Sequence, residues 1–237
     1  MAGKLFGIGV GPGDPELLTV KAKCMLEKAA AIAYPVNRRG EDSTALEIVR
    51  GAVDVSGKRI IELLFNMDPD DRVRRKCRSD AVRELAGILE EGSDVAMVTL
   101  GDVGVYSTYM YVDEEIKNLG YETEVVPGIP SFCSGAAKAR IPLMIGNEGL
   151  AVVSLAKNNN TSLESAISGF ENIVVMKAWN SMDILLEVMK KHGLSEDNAT
   201  VISNIGMEGE YIGPIDLGRK YGYFTTVIVK KRNGEEE

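Results

Sequence analysis

Three glycine-marked stretches hold the residues best placed for chemistry: "GVGPGD" at 9–14, "LGDVGVYST" at 100–108 and "VPGIPSF" at 126–132. Glycine lets main chain approach a ligand where a Cβ would collide, so these turns point to a small molecule held against backbone. The first lies in the run "GIGVGPGDPELLT", Gly7 to Thr19, with glycines at alternate positions and Pro12 among them. It is not the common dinucleotide fingerprint. Gly7-x-Gly9-x-x lands on Pro12 and Gly9-x-Gly11-x-x lands on Asp14, so the third glycine is missing in both registers. No Gly-Lys-Ser/Thr follows, which excludes a Walker loop. The chain has one histidine, His192 in "KKHG", read as a helix-end cap.

Each of these turns follows a strand candidate. Lys4 to Val10, "AAIAYP" ending at Pro35, "KRIIELLF", "DVAMVTLGD" and "ETEVVPG" are strands, the fourth so apolar that both of its faces must be covered. Between them lie helices. Asp14 caps one with Pro15 at its first position, carrying Leu17, Leu18, Ala22, Met25, Leu26 and Ala29 on its apolar side. Ser43 to Val55, Asp70 to Glu91 and Tyr106 to Leu119 are the others. Such alternation implies a mostly parallel sheet with helices on both faces, and it puts all three glycine turns at the sheet's carboxyl edge.

After a small-residue helix, Ser131 to Ala139, the rhythm changes. "GLAVVSL", "NIVVMKA", "ATVISNI", "GEYIGPI" and "YFTTVIVKK" read as strands, with helices only near Thr161 to Ser168 and Ser181 to His192. The last two strands, split by "DLGRKYG", are expected to form a hairpin. The fold class is therefore α/β with two α/β domains, residues 1–126 with a mostly parallel sheet and residues 127–237 with a mixed one. A ligand is expected in the crevice between them.

Composition sets outer limits. A net charge of −8 argues against bulk nucleic-acid binding, which needs clustered Lys and Arg. No apolar run approaches the roughly 20 residues of a membrane span, and the amino terminus lacks signal-peptide features. Three well-separated cysteines, Cys24, Cys77 and Cys133, suggest neither a disulfide framework nor a metal site, so a reduced cytoplasm is expected.

"GVGPGDPELLTVKA", "TLGDVGVYSTYMYV", "VVPGIPSFCSGAA" and "IVVMK", in this order and over nearly the whole chain, resemble the tetrapyrrole methylases. That family moves methyl groups from S-adenosylmethionine to corrin and sirohaem precursors. "STYMY" and "AYPVNRRGEDSTALEIV" are most similar to its branch acting on carbon 20 of precorrin-2 or cobalt-factor II, in cobalamin synthesis. The resemblance implies a class III methyltransferase with the cofactor between two domains, S-adenosylhomocysteine as product, and a homodimer. It implies cofactor contacts by Pro12 in the first turn, by Gly101, Asp102 and Val105 through backbone and carboxylate, by Pro130 and Ser131, and by Met176 against the adenosine. Ile205, Thr225 and Thr226 match second-domain contacts more loosely. The family's Gly-Asp-Pro reads Gly101-Asp102-Val103 here, and Tyr34-Pro35 stands where uroporphyrinogen methylases carry Tyr-Asp. The second change favours a tetrapyrrole position other than theirs.

Methyl transfer of this kind asks for alignment and exclusion of water rather than for a metal, serine or histidine. A polycarboxylate substrate does ask for cations. Arg38 and Arg39 follow the second strand at the crevice edge and are candidate substrate contacts, as is Tyr106. Arg72, Arg74, Arg75, Lys76 and Arg78 form a second cluster whose plainer reading is a solvated helix face. Tyr109 and Tyr111 are weighed between pocket and core, Trp179 between pocket and dimer interface. Asn158 to Asn160 read as a turn and Glu235 to Glu237 as a frayed tail. The alternatives within the family are another precorrin methylase or a diphthine synthase. From another class, a sensor binding S-adenosylmethionine or a nucleotide without turnover is the remote one.

Overall fold

"VAMVT", five residues all buried, can exist only as a strand covered on both sides, and it stands at the middle of the first sheet. The computed structural model describes residues 1–66, 68–155 and 160–231, so the Asn158, Asn159 and Glu235 to Glu237 readings fall outside the described residues. The chain divides into two units, Met1–Pro130 and Ser131–Glu237. The first holds β1 (Leu5–Gly9), β2 (Ala31–Val36), β3 (Arg59–Leu64), β4 (Val95–Thr99) and β5 (Thr123–Val126), in the order β3-β2-β4-β1-β5. All pairings are parallel. Helices α1 (Val20–Lys28), α2 (Thr44–Ala52), α3 (Asp71–Glu90) and α4 (Tyr109–Asn118) connect them. Alternation along each strand divides the core. Leu5, Val95 and Met97 pack with Leu85, Leu89, Val112 and Ile116 of α3 and α4. Ile8, Ala96 and Val98 pack with Ala22, Leu26, Ile48 and Val49 of α1 and α2. Helices therefore cover both faces, as the alternation required.

Two helix starts differ from expectation. Asp14 does cap a turn, accepting from Glu16 N–H at 2.9 Å, but that turn is a short 3-10 helix over Pro15–Leu17. The chain re-extends at Leu18 and Thr19, and Thr19 caps α1 by accepting from Ala22 N–H at 3.1 Å. Two capping residues five apart thus divide what looks in sequence like one helix. Similarly, α4 begins at Tyr109 rather than Tyr106, whose φ of 51° is left-handed. Ser107 Oγ there donates to Thr99 Oγ1 and accepts from Tyr109 N–H, anchoring the helix start to the end of β4.

β2 continues through Pro35 to Val36 although it is an interior strand. Ala31 N–H donates toward β4, to Asp94 O, while Ala30 O and Val36 O accept from Arg59 and Phe65 on the β3 side. Alternation turns Pro35 toward β4, and pairing with β4 has ended at Ala33. The missing N–H therefore costs no ladder bond.

The second unit carries α5 (Ser131–Ala139), β6 (Leu150–Ser154), α6 (Thr161–Gly169), β7 (Asn172–Met176), α7 (Met182–Lys191), β8 (Ala199–Ser203), β9 (Tyr211–Gly213) and β10 (Thr225–Lys230). Its sheet order is β6-β7-β10-β8-β9. Only β6 with β7 is parallel, so the sheet is mixed. The expected hairpin of the last two strands is corrected: β10 inserts between β7 and β8, and β9 pairs with β8 alone. The apolar run of β10, buried from Thr225 to Val229, needs a central position that a terminal hairpin would not supply. α6 and α7 cover one face through Leu163, Ile167, Leu185 and Val188. The small residues of α5 let it lie close to β8, where a Cβ on Gly135 would come within 2.6 Å of Ile202 Cγ2.

Candidate cofactor and substrate site

The three glycine turns interlock. Gly101 N–H donates to Gly11 O at 2.7 Å and Gly11 N–H donates to Gly101 O at 3.1 Å, joining the turn after β1 to the turn after β4. Both residues have left-handed φ, 81° and 71°. A Cβ on Gly9 would stand 2.5 Å from Gly128 N and 2.7 Å from Gly101 O. Asp102 adds a carboxylate latch, Oδ1 accepting from Gly104 N–H at 2.8 Å and Oδ2 from Gly128 N–H at 2.9 Å. The turns after β4 and β5 are thereby held in one geometry.

This corrects the first reading of the thin backbone. Gly7 makes room for the Tyr109 ring, since a Cβ there would fall within 2.5 Å of Cε2, and Gly9 makes room for other main chain. At these two positions the close neighbour is protein. The same holds for Tyr109, which is fully buried and therefore belongs to the core rather than to a pocket. Its hydroxyl donates to Asp113 Oδ1 at 3.1 Å, and Lys117 donates to Asp113 Oδ2 at 2.7 Å. Burial pushes the Tyr109 phenol up. Burial also opposes ionisation of Asp113, but the hydrogen bond and charge of Lys117, with smaller contributions from its other neighbours, outweigh that and hold its carboxyl below the ordinary value.

Of the other expected residues in this unit, Pro12 is buried, Val105 half-buried, and Pro130 half-buried two residues beyond Gly128. Val103, in place of the family's proline, is 2% exposed and packs into the α3–α4 side of the core. In the second unit Ser131 opens α5. Met176 ends β7 opposite Thr226, and Thr225 pairs with Ser203 at the end of β8, so one sheet edge gathers Met176, Ser203, Thr225 and Thr226. Thr225 Oγ1 donates to Gly222 O at 2.7 Å and stands 2.8 Å from Ser203 Oγ, both hydroxyls buried. Ile205 follows in a loop closed by Glu210, which accepts from Gly206 N–H at 2.7 Å and pairs with Lys138 of α5. Lys138 and that amide hold the Glu210 carboxyl below its ordinary value.

The basic residues separate by environment. Arg39 donates to Glu62 O at 2.8 Å, and the Glu62 carboxylate accepts from Gly40 N–H at 2.9 Å, tying the loop after β2 to β3. Arg38 is exposed and its N–H donates to Glu41 Oε2 at 3.1 Å. In the α3 cluster Arg72 pairs with Asp70, Arg74 and Arg75 with Asp71, and Arg78 with Glu115, which fits the solvated face. Arg78 also lies 5.2 Å from the Tyr111 ring centroid. Tyr106 is exposed, and His192 occupies the cap position of α7. Glu62 and Glu210 had no signal in the sequence, because each acts across a strand register or loop closure that the sequence does not reveal.

Residues 4–219 match the family model of the tetrapyrrole (corrin/porphyrin) methylases. The chain belongs to this family. It is 38% identical over 238 aligned residues, 96% of each chain, to a probable cobalt-precorrin-2 C(20)-methyltransferase of Methanocaldococcus jannaschii. It is 30% identical, over 98% of each chain, to the cobalt-precorrin-2 C(20)-methyltransferase of Salmonella typhimurium. Among solved structures it resembles the uroporphyrin-III C-methyltransferase of Thermus thermophilus complexed with S-adenyl homocysteine. The TM-score is 0.71 at 20% identity, covering 97% of this chain and 92% of that one.

Proposed function

We propose that this protein transfers the methyl group of S-adenosylmethionine to carbon 20 of precorrin-2 in its cobalt-bound form, in cobalamin biosynthesis. The observation that carries this reading is near full-length similarity, at 38% and 30% identity, to two proteins bearing that name. Both names specify cobalt, which favours the metal-bound substrate over the free macrocycle.

The sulfonium methyl of S-adenosylmethionine is already activated when bound. Transfer forms a carbon–carbon bond at C20 as the carbon–sulfur bond breaks, its electron pair going to sulfur, and C20 gives up a proton. The protein's part is to hold the partners in line, roughly 3–3.5 Å apart, and to keep water out. The edge residues fit such a cofactor. The interlocked turns of Pro12, Gly101 and Gly128 offer rigid main chain, and Ser203, Thr225 and Thr226 bring buried hydroxyls to an edge where Met176 supplies a half-buried apolar side chain. Asp102 fits a supporting role, because both carboxylate oxygens already accept backbone amides. Arg38 and Tyr106 remain the exposed candidates for the substrate, while Arg39 is engaged with Glu62. We place the protein in the cytoplasm as a homodimer. No described helix is long and apolar enough to cross a membrane, and the three cysteines are free thiols.

The test is anaerobic incubation with labelled S-adenosylmethionine and, in parallel, metal-free and cobalt-bound precorrin-2, reading product mass and methyl position. One methyl at C20, faster on the cobalt form, is expected. Transfer at another carbon, or none on either form, overturns the reading.

A further inference from the structure

Two non-glycine residues of the second unit sit in left-handed backbone conformations directly after strands: Lys177, φ 59°, after β7, and Asn204, φ 52°, after β8. Strain of this kind gathers at ligand sites. These two flank the start of β10, Lys177 beside the ring of Tyr223 and Asn204 on the main chain of Phe224. Lys177 Nζ lies 5.8 Å from the Tyr223 ring centroid, and Asn204 N–H donates to Phe224 O at 3.0 Å. Tyr223 and Phe224 meet edge to face at 5.4 Å, yet stay 45% and 39% exposed. In the same segment the Arg219 guanidinium lies 4.2 Å from the Tyr211 ring centroid.

Large rings left in water beside cations form a surface with a particular complement. The rings match a flat conjugated ligand, and the cations match acid groups on its rim. S-adenosylmethionine offers an adenine plane, but its single carboxylate lies on the methionine arm, away from the ring. A tetrapyrrole bearing peripheral carboxylates offers plane and acids on one flat frame.

We propose that Lys177, Tyr223 and Phe224 form a tetrapyrrole-binding surface on the second unit. Tyr223 takes the face of the macrocycle and Lys177 one of its carboxylates. This rests on the reading of the substrate given above.

Trp179, the only tryptophan, is 41% exposed two residues beyond Lys177 and provides the probe. Uroporphyrin, an air-stable polycarboxylate macrocycle, is titrated into the full-length protein and its dissociation constant read from quenching of tryptophan emission. Binding of S-adenosylhomocysteine is measured in parallel by calorimetry. Tyr223→Ala and Lys177→Met are each expected to weaken uroporphyrin binding about 3- to 30-fold. Tyr223→Phe, which keeps the ring, should bind as the parent does, and affinity for S-adenosylhomocysteine should stay constant throughout. Parent-like uroporphyrin affinity in both variants overturns the proposal. So does loss of S-adenosylhomocysteine affinity with uroporphyrin binding intact, which would make the surface an adenine site. A parent protein that binds no uroporphyrin also overturns the proposed surface, whereas the substrate reading itself falls only if the methyl-transfer assay above fails.

Discussion

At the residue scale, individual atoms decide what the glycine turns are for. Gly7 has no Cβ because the Tyr109 ring fills that space, and Tyr109 is in turn fixed by Asp113 and Lys117. Gly7→Ala is expected to destabilise the protein by about 1–3 kcal/mol through overpacking, read as a lower urea midpoint. Adding Tyr109→Leu should recover part of that loss; no recovery would mean that another neighbour sets the constraint. Asp102 acts on main chain rather than as a free acid. Asp102→Ala strands the amides of Gly104 and Gly128, at about 1–3 kcal/mol for each one kept from water. We expect affinity for S-adenosylhomocysteine to fall with it, and Asp102→Asn, which keeps one acceptor oxygen, to retain part of it. Calorimetry giving parent-like affinity for the alanine variant would remove this turn from the cofactor site.

At the element scale, loops and strand edges are set by carboxylates. Glu62 of β3 holds the loop after β2 through Gly40 and Arg39, and this divides the roles of two adjacent arginines. Arg38→Ala is expected to raise KM for the tetrapyrrole with little change in thermal midpoint. Arg39→Ala is expected to lower the midpoint as well, because it releases the loop. Equal effects on both quantities would show that the two side chains share one role. At the sheet edge Glu124 of β5 accepts from Lys4 and Lys21, which pull its carboxyl down to about 2 from an ordinary value of 4.5. Since the folded value is the lower one, the stabilisation is complete above the ordinary value and disappears as pH falls through the folded one. The difference in urea midpoint between parent and Glu124→Gln should therefore shrink as pH drops from about 5 toward about 2. A difference that is independent of pH would mean that Glu124 acts through packing.

At the scale of the whole molecule, two units of different sheet type share one kind of layout, with candidate site residues at a single sheet edge in each. A dimer of the 25.7 kDa chain is expected in solution, measured by light scattering on a sizing column. A monomer mass at assay concentrations would remove the homodimer from the reading.

Much of this was determined by local pattern. Strand periodicity, buried runs such as "VAMVT" and small-residue stretches such as "SGAA" are set by which side chains can face a core, so the sequence alone determined the element order and the parallel first sheet. The turn motifs carried the family with it. What local pattern does not contain is who sits across the gap. The insertion of β10 between β7 and β8, the Tyr109 ring over Gly7, the Asp102 latch on Gly128 and the Lys177–Tyr223 pairing join residues far apart in the chain. Each is fixed by register and packing, which exist only once the chain has folded, and they decide which residues support the site and which stay exposed.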